Sequence, residues 1–172
     1  MEIRLLDAGD TTAFWQLRLE SLRDEPQAFG SSYEENLAIP EAERQKTFAN
    51  RIAGPNNFMV GAFEAGKLVG MAGFFRSSGS KDRHKAMLWG MYVAPEARHG
   101  GTGRAIITKL IEQARTIEGV ELIHLGVVTV QEAAFKLYRK MGFEVYGTEP
   151  HALKIGFDYF DEYLMVLRLD HP

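Results

Sequence analysis

The stretch Tyr92-Val93-Ala94-Pro95-Glu96-Ala97-Arg98-His99-Gly100-Gly101-Thr102-Gly103-Arg104 gathers the residues of this chain best suited to holding an anion. Three glycines and two arginines stand between an apolar run, Met87 to Val93, and an amphipathic run, Ala105 to Ile117. A strand that enters a helix through such a loop leaves backbone N–H groups free at the helix N-terminus, where the helix dipole favours phosphate. A Walker loop needs Gly-Lys-Ser/Thr, and Gly103-Arg104-Ala105 is not that. In a dinucleotide fingerprint Ile106 would stand where a third small residue belongs, and a loop containing Pro95 separates the strand from the glycines. The diphosphate of coenzyme A is the third option, seated on the N–H groups of Gly100 to Gly103 with Arg98 or Arg104 for charge. A plain sharp turn, using glycine for geometry alone, would satisfy the same letters.

The elements around this loop follow from hydrophobic period and punctuation. Ile3 to Leu6 reads as a strand. Asp10, Thr11 and Thr12 offer cap oxygens to a helix with Phe14, Leu17 and Leu22 on its apolar face, ended by Pro26. Gln27 to Ile39 reads as a polar, irregular link, and Pro40 opens a second helix with Glu41 and Glu43 in its first turn. Phe58 to Glu64 and Lys67 to Phe75 form a hairpin across Ala65-Gly66. Lys85 to Val93 is the next strand, Gly103 to Ile117 a helix, Leu122 to Val128 a strand, and Gln131 to Met141 a helix ended by Gly142. Phe143 onward and Tyr159 to Leu169 read as two antiparallel strands. In Phe157-Asp158-Tyr159-Phe160-Asp161-Glu162-Tyr163, alternation favours charges outward and rings in the core, although the acidic and aromatic mix also suits an amine. The order β-α-α-β-β-β-α-β-α-β-β predicts an α/β fold with a mixed sheet and helices on its faces.

Composition narrows the function. The 172 residues read as one domain, 1–172, with an ordinary globular composition. A net charge of -3 gives no basic field for nucleic acid. The chain has no cysteine, so a disulfide framework, a thiolate nucleophile and a Cys-based metal site are excluded. The opening Met1-Glu2-Ile3-Arg4 is too charged for a signal peptide, and no apolar run approaches the ~20 residues of a membrane span. These features together predict a cytoplasmic protein with no membrane partner.

Val93-x-Pro95 followed by Arg98-x-x-Gly101-x-Gly103 resembles the acetyl-CoA pyrophosphate loop of the GNAT acetyltransferase superfamily. Val127-x-x-x-Gln131-x-x-Ala134-x-x-Leu137-Tyr138-x-x-x-Gly142-Phe143 resembles its second block, in which an asparagine usually stands where Gln131 is. The glutamine can make the same kinds of hydrogen bond. The predicted element order agrees with the GNAT-like acyl-CoA N-acyltransferase fold over nearly the whole chain. The resemblance implies transfer of an acetyl group from acetyl-CoA to a primary amine, by direct attack in a ternary complex. It implies cofactor contacts from Met91, Tyr92, Val93, Arg98, His99, Gly100, Gly101, Thr102, Gly103, Arg104 and Gln131. The strands ending at Val93 and Val128 would splay to admit the pantetheine arm, with Gly90 at a bend or bulge.

The resemblance places Tyr138 as the general acid for the leaving thiolate. By spacing alone Tyr138 would be a core ring, since Ala134, Leu137, Tyr138 and Met141 share a helical face. The amine must lose a proton, and the strand segment Met87-Leu88-Trp89-Gly90 carries no acid. Glu34, Glu35, His84, His124 and Glu132 are the candidate bases, with a water chain an equal alternative. Phe29, Tyr33 and the glutamates of the link would wall the acceptor site. The acceptor implied is a small amine, an amino-acid-like or polyamine-like compound, or a protein N-terminus or lysine; a homodimer is common among relatives. The rival reading is a non-catalytic acyl-CoA sensor on the same fold.

Overall fold

A computed structural model of the chain describes residues 1–169, with the side chain of His99 left aside. The elements are β1 Glu2–Leu5, α1 Thr11–Asp24, α2 Tyr33–Leu37, α3 Glu41–Arg51, β2 Asn57–Glu64, β3 Lys67–Arg76 and β4 Lys85–Val93. They continue with α4 Thr102–Arg115, β5 Leu122–Val128, α5 Glu132–Lys140, β6 Glu144–Ile155 and β7 Asp158–Arg168. The seven strands form one mixed sheet in the order β1-β2-β3-β4-β5-β7-β6, with β4 and β5 parallel and the other pairs antiparallel.

The helices cover both faces. On one, α1 and α3 pack together, with the Phe14 and Phe48 rings stacked 4.8 Å apart and both fully buried. Burial of each such ring stabilises by roughly 1.5–3 kcal/mol. The other face is covered by α4, whose Ile106, Ile107, Leu110 and Ala114 are completely buried. Its first turn meets α5, because Leu137 stands against Gly103.

Two features depart from the sequence reading. The link from Gln27 to Ile39 contains a helix, α2, started by a reciprocal capping box in which Ser32 Oγ accepts from Glu35 N–H at 3.1 Å and Glu35 accepts from Ser32 N–H at 3.3 Å. The rings at the tip of the last hairpin are not core: Phe157 is 98% exposed and Tyr159 50%. That hairpin ends in the edge strand β6, which is exposed along most of its length. Alternation there therefore does not sort side chains into a covered face and an open one.

The sheet opens between β4 and β5. The two pair only at Lys85↔Leu122, Ala86↔Ile123 and Met87↔His124. Beyond Met87, β4 stays with β3 while β5 stays with β7. The divergence begins where β3–β4 pairing slips: Gly73 faces Trp89 and Met71 faces Tyr92, so Ala72 opposes both Gly90 and Met91. Gly90 has φ +62°, the left-handed conformation that glycine adopts without a steric penalty. The bulge adds twist and turns the outer edge of β4 away from β5.

Candidate active site

The opening between the strands is a cleft of about 360 Å³. One wall is the free edge of β4 from Leu88 to Val93. The opposite wall comes from Gly126 to Val128 of β5 and from α5, which brings Leu137 and Tyr138. At the mouth stand Arg98, Gly101, Gly103, Arg104 and Gln131.

The mouth is built by backbone geometry. Pro95–Gly100 is a 3-10 stretch, and Gly101 (φ +76°) turns the chain into α4. The first turn of α4 leaves N–H groups without intrahelical acceptors. Thr102, predicted as a contact residue, is fully buried, and its hydroxyl donates to Ala97 O at 2.8 Å, which fastens the loop instead. A Cβ on Gly103 would lie 3.0 Å from Leu137 Cδ2 and 3.3 Å from Met91 Cε, so glycine there lets α4, α5 and β4 meet. Gly100 is exposed beside Thr102 and does not line the cleft. The His99 side chain lies outside the described ones.

Arg98 is held in place by two contacts. Its Nε donates to Val93 O at 2.9 Å, and its Nη2 is ion-paired with Glu25. The other oxygen of Glu25 accepts from Gln131 Nε2 at 3.0 Å. Glu25 thus bridges the loop after β4 to the start of α5 across the mouth. Sequence reading passed over Glu25; a residue before Pro26 at a helix end carries no signal beyond the boundary itself.

Two tyrosines differ in what they present. The Tyr92 backbone lines the cleft strand, while its side chain is buried and its hydroxyl donates to Glu20 at 3.4 Å. Burial, with the charges of Glu20 and Asp24, pushes Tyr92 up to about 12. Tyr138 is 5% exposed, its ring set edge-on to Phe143 at 5.7 Å, and it lines the cleft. Burial pushes its phenol well above the ordinary value of 10, so it stays protonated at neutral pH.

None of the five candidate bases lines the cleft. Glu35 caps α2, and Glu132 pairs with Lys136 at 2.9 Å. Glu34 faces a separate hollow beside β6, bounded by Tyr33, Leu153 and Lys154. His84 accepts two backbone N–H groups, from Glu121 and Leu122, at its carbonyl. His124 packs edge-on to Tyr146 at 5.5 Å with Nε2 buried and unpaired, and burial together with Lys85 and His84 lowers its pKa. Glu162, part of the acidic and aromatic stretch that the sequence offered for an amine, does not line the cleft either, but it approaches the β5 wall: its Oε2 lies 2.7 Å from where a Cβ on Gly126, a lining residue, would stand. Burial, with the charge of Glu149, raises the Glu162 pKa.

Two cations also escaped sequence reading. Arg18 is 4% exposed, and its buried Nε and Nη1 have no hydrogen-bond partner among the described residues. Burial, aided by the charge of Arg51, pushes it down to about 10, which leaves it protonated at neutral pH. Arg51 lies over Trp89 at 4.9 Å, with Nη1 buried and unpaired. Stacking on a ring stabilises a cation by about 0.5–2 kcal/mol. Leaving a buried charge without a counter-ion costs several kcal/mol.

Residues 17–143 match the model of the acetyltransferase (GNAT) family. The chain belongs to this family. Its resemblance to N-alpha-acetyltransferase RimI of Mycobacterium tuberculosis is 36% identity over 100 residues, 58% of this chain and 60% of that relative. L-methionine sulfoximine/L-methionine sulfone acetyltransferase of Pseudomonas aeruginosa is 26% identical over 162 residues, 94% of this chain and 83% of the relative. The crystal structure of ribosomal-protein-alanine N-acetyltransferase from Brucella melitensis superposes with a TM-score of 0.84 at 27% identity, over 98% of this chain and 100% of that one. The mixed sheet with a parting between parallel strands is therefore the GNAT fold, as the motifs implied.

Proposed function

We propose that this GNAT protein transfers an acetyl group from acetyl-CoA to a primary amine by direct attack. The observation that carries the reading is the cleft between β4 and β5. It joins a glycine loop at the N-terminus of α4 and two arginines to a buried phenol. The diphosphate sits on Gly101 to Arg104, with Arg98 and Arg104 supplying charge. The pantetheine arm lies along the free edge of β4, next to Met91 and Val93. A backbone N–H at the Gly90–Met91 bulge stabilises the oxyanion that forms on the thioester carbonyl.

The amine nitrogen bonds to the carbonyl carbon and the C–S bond breaks. Tyr138 gives its proton to the departing sulfur. A thiol has a pKa of about 8.5 in water, and the dry cleft raises thiolate and phenolate together, so the proton can cross between them. The proton lost by the ammonium passes to Glu162, the carboxylate above Gly126. Relatives of this chain are named for amino-acid substrates and for protein N-termini, and both are amines of the class proposed. The cysteine-free composition suits the reducing cytoplasm, where we place the enzyme.

The test is coenzyme A release from acetyl-CoA with an amine panel, alongside thermal unfolding with acetyl-CoA and with NAD. Acetyl-CoA is expected to raise Tm where NAD does not. The Tyr138→Phe protein should keep that shift and lose about 10²–10⁴ in kcat. Wild-type turnover by the Phe protein removes Tyr138 from the reaction. A shift with no coenzyme A release supports the acyl-CoA sensor, and no shift at millimolar acetyl-CoA ends the reading.

A further inference from the structure

Arg18 and Arg51 stand behind the cleft wall with no anionic partner among the described residues. The Arg18 guanidinium lies 5.0 Å from the centre of the Phe29 ring, and its Nη1 is 3.9 Å from where a Cβ on Gly90 would be. Phe29 and Gly90 both line the cleft, as does Trp89, on which Arg51 is stacked. The charge acting on Arg18 is that of Arg51, which repels it. Aromatic stacking offsets only part of the cost of burying such a group. A guanidinium with two free donor nitrogens presents a planar fork, whose best partner is a carboxylate.

We infer that Arg18, backed by Arg51, receives the carboxylate of the acceptor, and that the acceptor is a small amino acid with its carboxylate close to the reacting amine. This rests on the acetyltransferase reading of the same cleft. The spacing agrees with it. Gly90 lacks the side chain that would screen Arg18, and it is one residue, about 3.8 Å, from Met91 at the reacting end. A carboxylate held beside Gly90 therefore puts an α-amino group next to the thioester carbon. Glu162 over Gly126 offers the opposite charge on the β5 wall. A peptide N-terminus lacks the adjacent carboxylate and leaves both cations unpaired.

The experiment measures acetylation of a panel comprising the twenty L-amino acids, their carboxamides, their decarboxylated amines and short peptides. It is run on the wild-type chain and on Arg18→Met, Arg18→Lys and Arg51→Met. Acetylation should be confined to free carboxylates. Arg18→Met should raise KM for the best amino acid on the order of 100-fold, while the Tm shift given by acetyl-CoA stays. Arg18→Lys should recover part of the loss. Arg18→Met should itself melt no lower than wild type, since it removes an unpaired buried charge; a structural arginine would behave oppositely. Equal use of amides, amines or peptides, or an unchanged KM in Arg18→Met, overturns the inference while turnover of those acceptors keeps the enzyme reading standing; no acceptor in the panel at all, with the acetyl-CoA shift retained, overturns the inference and favours the acyl-CoA sensor. Loss of the acetyl-CoA shift in the wild-type chain removes that reading, and the inference with it.

Discussion

Replacing Glu25 by alanine should tighten acetyl-CoA binding. In the free protein this carboxylate is ion-paired with Arg98 and accepts from Gln131 at 3.0 Å. Both partners are cofactor ligands in the proposed site, so a diphosphate must compete with Glu25 for Arg98. The Arg98 side chain is 42% exposed and that of Glu25 22%, which screens the pair. An exposed pair of this kind contributes about 0.2–1 kcal/mol. The hydrogen bond from Gln131 contributes a further ~0.5–1.5 kcal/mol. Removing these restraints, together with a negative charge facing the diphosphate, should lower the binding free energy by about 1–2 kcal/mol, or roughly 5- to 30-fold in Kd. Isothermal titration calorimetry at two salt concentrations checks this, and the gain should shrink in high salt. Weaker binding by Glu25→Ala would refute the argument, for Glu25 would then be organising Arg98 and Gln131 for the cofactor and not occupying them.

Two further outcomes follow from the site. Gly101→Val puts a β-branched residue at φ +76°, which costs about 1–2 kcal/mol and lowers Tm by roughly 2–8 °C; the side chain also intrudes where the diphosphate sits, so the acetyl-CoA shift should vanish, and a retained shift would move the phosphate elsewhere. Glu162 has a raised pKa in the folded chain, so above its unfolded value the folded state binds more protons and stability falls as pH rises through the window between the two values. Glu162→Gln should accordingly melt higher than wild type at neutral pH and match it once the pH is below the unfolded value. Equal melting at both pH values would show that Glu162 ionises without cost.

The strand Lys85–Val93, the strand Leu122–Val128 and the helices that follow them could be read directly from the sequence. Long apolar runs bounded by glycine and proline leave little choice of element. The loop that we propose for the diphosphate was readable for the same reason: glycine spacing encodes backbone geometry, and backbone N–H groups are what would hold such a ligand. Tyr138 was found through its motif. Its period alone would have assigned it to the core, and it is in fact both buried and at the cleft wall. The short helix α2 was missed although the Ser32-to-Glu35 spacing of a capping box was there to be seen.

Arg18 and Arg51 lie on helices, and Glu25 just after one, yet nothing in local pattern marks them. An arginine between Leu17 and Ser21 on an amphipathic helix reads as a side chain that reaches solvent. Whether it does depends on what the other helix and the bulged strand set against it. Sequence therefore determined the elements, the glycine loop and the family of this protein, because these are written in the order of neighbouring residues. Only the tertiary structure decided which charges are buried without a partner and which wall they face, because desolvation is set by residues distant along the chain.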